Sequence, residues 1–167
     1  MIYFAPTPDE SIDQGDLIDE CPVVSIIEYH PGQLNTEKVK FEQRRVLVLT
    51  QTCDLANKKV DEVIVATVFD AQQLVDRKIL KAADIRGSIR AQRVWGMYFL
   101  PANANLGLGE MIVDFRRLHT VRLDLLLALC RLNKRIARVQ TPYRKHLAKH
   151  FADSFSRIGL PQPYETM

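Results

Sequence analysis

The hydrophobic positions of this chain follow two different periods. Consecutive apolar residues mark strands with both faces covered, and spacings of three or four mark helices. Residues 22–29, with Val23, Val24, Ile26 and Ile27, predict a strand. Residues 30–42 are polar, contain Pro31-Gly32, and predict a loop or an exposed hairpin. The run 46–50 (Val-Leu-Val-Leu-Thr) predicts the clearest strand, and 63–68 predicts a second, with the polar stretch 51–61 between them. Such a pair reads as a hairpin or as neighbouring strands. At 71–83 the period changes, and Leu74, Ile79 and Leu80 predict an amphipathic helix. Strand character returns at 94–100 and stops at Pro101. Residues 102–109 predict a loop, and 111–115 another short strand. The stretch 121–139 fits a helix or a strand pair turning at Asn133-Lys134. The last element, 142–158, is a predicted helix with Tyr143, Leu147, Phe151, Phe155 and Ile158 on one stripe. Thr141 is its predicted cap, Pro142 its first residue, and Gly159 and Pro161 its stop.

A length of 167 residues with 47% apolar and 26% charged content fits one ordinary globular domain. Its expected parts are an extended lead-in (1–14), a body (15–124) entered through a bend at Gly15, and a basic carboxy-terminal extension (125–167). No apolar run reaches the roughly 18 residues a membrane helix needs, and the first residues do not resemble a secretory signal. Three cysteines, Cys21, Cys53 and Cys130, fit free thiols in a reducing compartment, so a cytoplasmic location is expected.

The net charge of +3 conceals an asymmetry. Residues 1–42 hold nine carboxylates and two lysines, whereas 116–157 hold eleven Lys or Arg and two acids. Dense positive charge attracts polyanions. The competing reading is internal, with the acidic segment neutralising the basic one.

The chain contains no Walker A loop, G-x-G-x-x-G, G-x-S-x-G or C-x-x-C pattern. His146 and His150 stand at i, i+4, a spacing able to put two imidazoles on one metal, but without a glutamate between them or an evident third ligand; no metal or other cofactor is expected. Thr52, Cys53 and Asp54 follow the clearest strand, where a thiol could be a nucleophile given a neighbouring base. The plainer reading is a small apolar side chain beside a turn-capping Asp54. Arg44-Arg45, Arg116-Arg117, His119 and Arg122 adjoin predicted core strands. Arginines there could clamp a phosphodiester, with His119 as acid or base.

The order of Gly15-Asp16-Leu17-Ile18, then 44–50, then 62–68, then 113–121 resembles the PemK/MazF-like toxin family. That resemblance implies an α+β protein built on a small SH3-like β-barrel, here with an inserted helix (71–83) and an added carboxy-terminal amphipathic helix. It also implies a homodimer, an endoribonuclease acting on single-stranded RNA without metal, and a toxin–antitoxin context. Arg44 falls at the family's catalytic arginine, and Arg45 stands where the family has proline. The catalytic threonine position falls near Val68, with Thr67 one residue away, and His119 lies close to a family arginine. The expected site is therefore Arg44, Thr67 and His119 as catalytic residues, with Arg45, Arg116, Arg117 and Arg122 on nucleic acid. Two alternatives stay open. One is a non-catalytic interaction module within a larger bacterial assembly, docking protein partners; the other is a thiol enzyme centred on Cys53.

Overall fold

The computed structural model describes residues 1–32, 37–57 and 59–156. Seven strands form one antiparallel sheet: β1 (Tyr3–Phe4), β2 (Asp16–Glu28), β3 (Lys38–Val48), β4 (Glu62–Asp70), β5 (Met97–Leu100), β6 (Met111–Arg122) and β7 (Arg135–Val139), in the order β1-β7-β2-β3-β4-β6-β5. Five helical segments accompany it: α1 (Thr52–Ala56), α2 (Ala71–Asp76), α3 (Ala82–Asp84), α4 (Leu123–Arg131) and α5 (Tyr143–Phe155).

The α+β class is as expected, but the sheet is not a closed barrel. Both β1 and β5 are edges, with no ladder between them. They are tied instead by one side chain, the Tyr3 hydroxyl donating to the Pro101 carbonyl at 2.8 Å. On β5 the Gln92 amide accepts from the Phe99 N–H (3.1 Å) and donates to its carbonyl (3.0 Å). This occupies backbone groups that a further strand would use.

Alternation sorts the side chains into three clusters. Leu17, Leu47, Ala66, Val68, Met111, Val113 and Phe115 face one way and pack with Leu147 of α5. Ile18, Val46, Val48, Val63, Val65 and Val121 face the other way beneath Leu126, Leu129 and Cys130 of α4. Farther along that second face, Met97, Phe99 and Ile112 pack under Ala71 and Leu74 of α2 and under Ile85 and Ile89 of the π-turn Ile85–Ile89. Each fully buried Leu, Ile or Phe contributes about 1.5–3 kcal/mol relative to exposure. Between these last two clusters lies a stretch of sheet centred on Thr67 that no helix among the described residues covers.

Several elements differ from the pattern-based expectation. The lead-in is extended at Tyr3 and Phe4, which pair with Val139 and Arg138, but turns at residues 8–9, where the Glu10 N–H donates to the Thr7 carbonyl at 3.1 Å. Of the loop or exposed hairpin expected at 30–42, residues 38–42 belong to β3, which pairs antiparallel with a β2 that begins at Asp16, and residues 33–36 lie outside the described residues. Residues 51–61 contain the short helix α1. The helix expected over 71–83 ends at Asp76, where Lys78 takes φ +57° and Ile79 is left exposed. The strand expected at 94–100 starts only at Met97, after Gly96 bends the chain at φ +77°. In 121–139 both readings hold in succession: a helix, a turn with Asn133 at φ +59°, and a strand. α5 runs to Phe155 with Leu147 fully buried but Phe155 exposed, and Thr141 does not cap it; Ile158, Gly159 and Pro161 lie outside the described residues. Gly15 bends as expected. At φ +87° its N–H donates to the Val48 carbonyl (2.9 Å), and its carbonyl accepts from the Val139 N–H (3.0 Å).

Candidate functional site

The uncovered stretch is shaped by an irregularity in β6. Ala66 pairs with Leu118 and the next residue, Thr67, pairs with Asp114, so Phe115, Arg116 and Arg117 have no partner on β4. Such a bulge re-aims side chains at the point where pairing is interrupted. Phe115 turns into the core, and its N–H donates to the Gly96 carbonyl at 2.8 Å. The Arg116 N–H donates to a side chain instead of the ladder, bonding Asp114 Oδ1 at 3.0 Å. Its guanidinium then grips both oxygens of the same carboxylate, at 2.8 and 3.0 Å. Gly96 lies under this arginine, and a Cβ there would come within 3.2 Å of Arg116 Cγ.

The bulge forms one wall of a cavity of about 300 Å³; β2 and β3 form another. Strand alternation aims Val23 and Ser25 from β2, and Glu42 and Arg44 from β3, into it. Thr67, 2% exposed, forms the floor. Its hydroxyl lies 3.1 Å from His119 Nε2, which leaves Nδ1 as the imidazole nitrogen free for a ligand. Arg44, Thr67 and His119, far apart in sequence, thus line one cavity together with Arg116 and Arg117. Val68, the position nearest the family threonine, faces the core on the opposite side of the sheet.

The electrostatics combine cations with built-in counter-charges. Arg44 bonds Glu42 at 2.7 Å, and hydrogen bonds from Lys40 and Arg44 pull the Glu42 carboxyl down to about 2. Asp114 is 5% exposed and is held by Arg116, with Arg117 at 3.6 Å. The Arg117 guanidinium also sits over the Phe69 ring, 5.3 Å from its centroid. Three guanidiniums against two carboxylates leave the cavity with a formal charge of +1. Partial burial lowers the His119 pKa below its ordinary value, and the Arg44 and Arg117 charges lower it further. The imidazole is therefore neutral at neutral pH and able to accept a proton. Among the described residues, no group of three or more His, Cys, Asp and Glu side chains is arranged to hold a metal ion.

Other expected site residues lie elsewhere. Arg45 points to the opposite face from Arg44 and pairs with Asp19 at 2.5 and 2.8 Å. Arg122 bonds Asp124 and lines a neighbouring groove of about 350 Å³ that continues past His119. Thr52 bonds Asp13 at 2.5 Å. Cys53 is exposed; among the described residues its sulfur bonds Gln51 Oε1 (3.7 Å) and Asp54 Oδ1 (3.8 Å), and no histidine is placed beside it to activate the thiol. His146 bonds the Tyr98 hydroxyl at 3.1 Å, while His150 bonds the Met97 carbonyl at 3.0 Å. Both therefore anchor α5 to β5.

No protein-family model matches the chain, and no curated protein does. No helix among the described residues is long and apolar enough to cross a membrane.

Glu42, Asp114 and Ser25 were missed by sequence reasoning. Glu42 and Asp114 each precede a selected arginine by two residues, the spacing that puts side chains on one face of a strand, so both could have been found. Ser25 depends on the β2–β3 register, which no local pattern reveals.

Proposed function

We propose that this cavity binds a phosphodiester of single-stranded RNA and cleaves it, the activity that the PemK/MazF-like resemblance implies. The observation that carries the reading is the convergence of Arg44, Thr67, His119, Arg116 and Arg117 on one uncovered cavity. In this reaction neutral His119 removes the proton of a ribose 2′-hydroxyl. The 2′-oxygen bonds to phosphorus as the P–O5′ bond breaks, giving a 2′,3′-cyclic phosphate and a 5′-hydroxyl whose proton comes from solvent. Arg44, Arg116 and Arg117 stabilise the phosphorane's extra negative charge through N–H groups not committed to Glu42 and Asp114. Thr67 fixes the imidazole by occupying Nε2. The deciding experiment incubates purified protein with single-stranded RNA and metal chelator. Cleavage that is lost in Arg44→Ala and His119→Ala supports the reading, and an inert wild-type protein overturns it.

One observation favours a second reading, a non-catalytic interaction module. Every cavity arginine already has a carboxylate neighbour, which weakens the pull on a phosphate, and a large apolar surface stands exposed nearby. Tight RNA binding without cleavage, or no RNA binding at all, would favour that reading.

A further inference from the structure

The two edges of the sheet, β1 and β5, leave a gap where a barrel would have a ladder, bridged by the Tyr3–Pro101 hydrogen bond. Beside that bridge a pocket of about 620 Å³ runs along the β5 edge. It has roughly twice the volume of the cavity at Thr67 and shares no lining residue with it. Barrel mouths and clefts between elements are where small-molecule sites form, at about 300–1,000 Å³. Alternation sends Tyr98 to the α5 side of β5 and Phe99 to the other, so the pocket has two unlike ends. Ile2, Tyr98, Pro142 and Tyr143 make the first end apolar and aromatic. Phe99 and Arg90 make the second, with the guanidinium 5.7 Å from the centroid of the Phe99 ring. The walls are already fixed. The Gln92 amide holds both backbone groups of Phe99, and the Tyr98 hydroxyl lies 3.1 Å from His146 Nδ1. Walls held in this way need little ordering when a ligand arrives, so less of its binding energy is lost.

We infer that this pocket binds a small aromatic carboxylate, with the ring against Tyr98 and Tyr143 and the carboxylate on Arg90. The tyrosines select the ring, because a flat apolar ligand gains aromatic contact there as well as burial. Arg90 selects the charge. It is exposed, and among the described residues no carboxylate lies within ion-pair distance of it. By contrast Arg44, Arg45, Arg116, Arg122, Arg138 and Arg144 each hold one. A guanidinium takes a carboxylate through two parallel N–H bonds. One unpaired cation matches one negative charge, which favours a monocarboxylate over a phosphate ester or a polyanion. With Nδ1 engaged by Tyr98, His146 Nε2 is the imidazole nitrogen left for a further polar group on the ligand. A folded protein partner is disfavoured, since the recess is of small-molecule size.

Titration of the full chain with 2-naphthoate, followed by two-dimensional NMR, tests this. A probe of this size should bind with a Kd on the order of 1 mM or below, shifting the amides of Tyr98, Phe99 and Tyr143. Arg90→Gln should weaken 2-naphthoate about tenfold, the loss of a charge-assisted hydrogen bond, and leave the uncharged 2-naphthamide unchanged. Tyr143→Ala should weaken both probes. Arg93→Gln makes the same change of charge at an exposed residue that does not line the pocket, and it should alter neither. Arg90 and Tyr143 are exposed, so neither substitution opens a hole in the core. The inference is overturned by the absence of saturable shifts at the pocket up to about 10 mM, ten times the expected Kd. Equal effects of Arg90→Gln and Arg93→Gln overturn it too, as do shifts confined to the cavity around His119. Because no readout involves RNA, failure of the proposed activity leaves this test intact.

Discussion

Arg135, Arg138 and Arg144 are drawn into the acidic amino-terminal segment, whereas Arg44, Arg116 and Arg117 surround an open cavity. In the first group Asp16 is fully buried. It accepts from Arg135 at 3.1 Å and from Arg138 through both of its oxygens, while Arg144 bonds Asp13. Further donors reach main-chain carbonyls, Arg135 those of Thr7, Glu10 and Ser11 and Arg138 that of Ser11, while the buried Arg135 Nε finds no acceptor among the described residues. Arg135 and Arg138 hold the lead-in onto β7 and have almost no surface to offer a polyanion, and Arg144, 26% exposed, is committed to Asp13. In the second group, Arg116 and Arg117 are more than half exposed, and the carboxylates beside them orient rather than enclose them. The charge excess of 116–157 therefore overstates the protein's affinity for anions. Part of it exists to neutralise the acidic segment, and the cavity itself is only +1.

The largest test of this contrast is thermodynamic. Asp16→Ala removes the shared partner of two arginines that are 7% exposed, leaving buried charge uncompensated. A loss of about 3–5 kcal/mol is expected from urea or thermal denaturation. Arg116→Ala removes an arginine that is 62% exposed and leaves the buried Asp114 with Arg117 at 3.6 Å, so it should cost clearly less than Asp16→Ala. Equal losses at the two positions would erase the distinction. A second test concerns chemistry: His119→Ala should lower RNA cleavage by about 10²–10⁴-fold, the usual contribution of a general base, with the melting temperature little changed.

The contrast also marks what the sequence could reveal. The strands at 46–48 and 63–68 and the helix around Leu147 were legible because their apolar residues repeat with the period of the element. The convergence of Arg44, Thr67 and His119 was suggested by family resemblance, not by spacing. What brings the three together is a β6 bulge of three residues that leaves no local signature, as Phe115-Arg116-Arg117 reads like the ragged end of a strand. Continuous pairing after the bulge, from Leu118 to Arg122, puts His119 opposite Val65. The same non-local logic hid the role of Arg135 and Arg138. Alternation along β7 cannot say that the main chain 120 or more residues earlier supplies their acceptors.

A third, smaller effect appears in the pH profile. His119 titrates below its ordinary value of about 6.5, chiefly through desolvation and secondly through the positive charges of Arg44 and Arg117. The proposed cleavage needs the neutral imidazole, so kcat/KM should hold through pH 6.5 and fall only at lower pH. Arg44→Met removes one of the charges, so the imidazole gains its proton more easily, and its titration followed by NMR moves up toward 6.5. A titration that stays in place would mean that Arg44 does not act on His119 electrostatically. The stability sign follows from the same shift. The unfolded chain binds a proton at His119 near pH 6.5 while the folded chain still resists it, so stability falls as pH drops through that window and levels off below the folded value. His119→Gln should remove this component.

The smallest effect is the most specific to the cavity. Release of counterions from single-stranded nucleic acid gives a slope of about −0.7 in log K against log salt for each phosphate charge neutralised. Taken as free cations, Arg44, Arg116 and Arg117 would give a slope near −2, but Glu42 and Asp114 already screen them, and the net charge of +1 predicts about −0.7. Asp114→Asn changes the count by one unit without removing an arginine. It should steepen the slope by about 0.7 and tighten RNA binding at low salt, because the Arg116 and Arg117 guanidiniums are then shared with one competitor fewer. Loss of that carboxylate also weakens the hold on Arg116, so weaker binding with an unchanged slope would show that orientation matters more than charge. A slope much steeper than −2 in the wild type would mean that phosphates are contacted well outside the cavity. The exposed residues to examine then are Lys145 and Lys149 on α5, since Arg135 and Arg138 are already committed to Asp16.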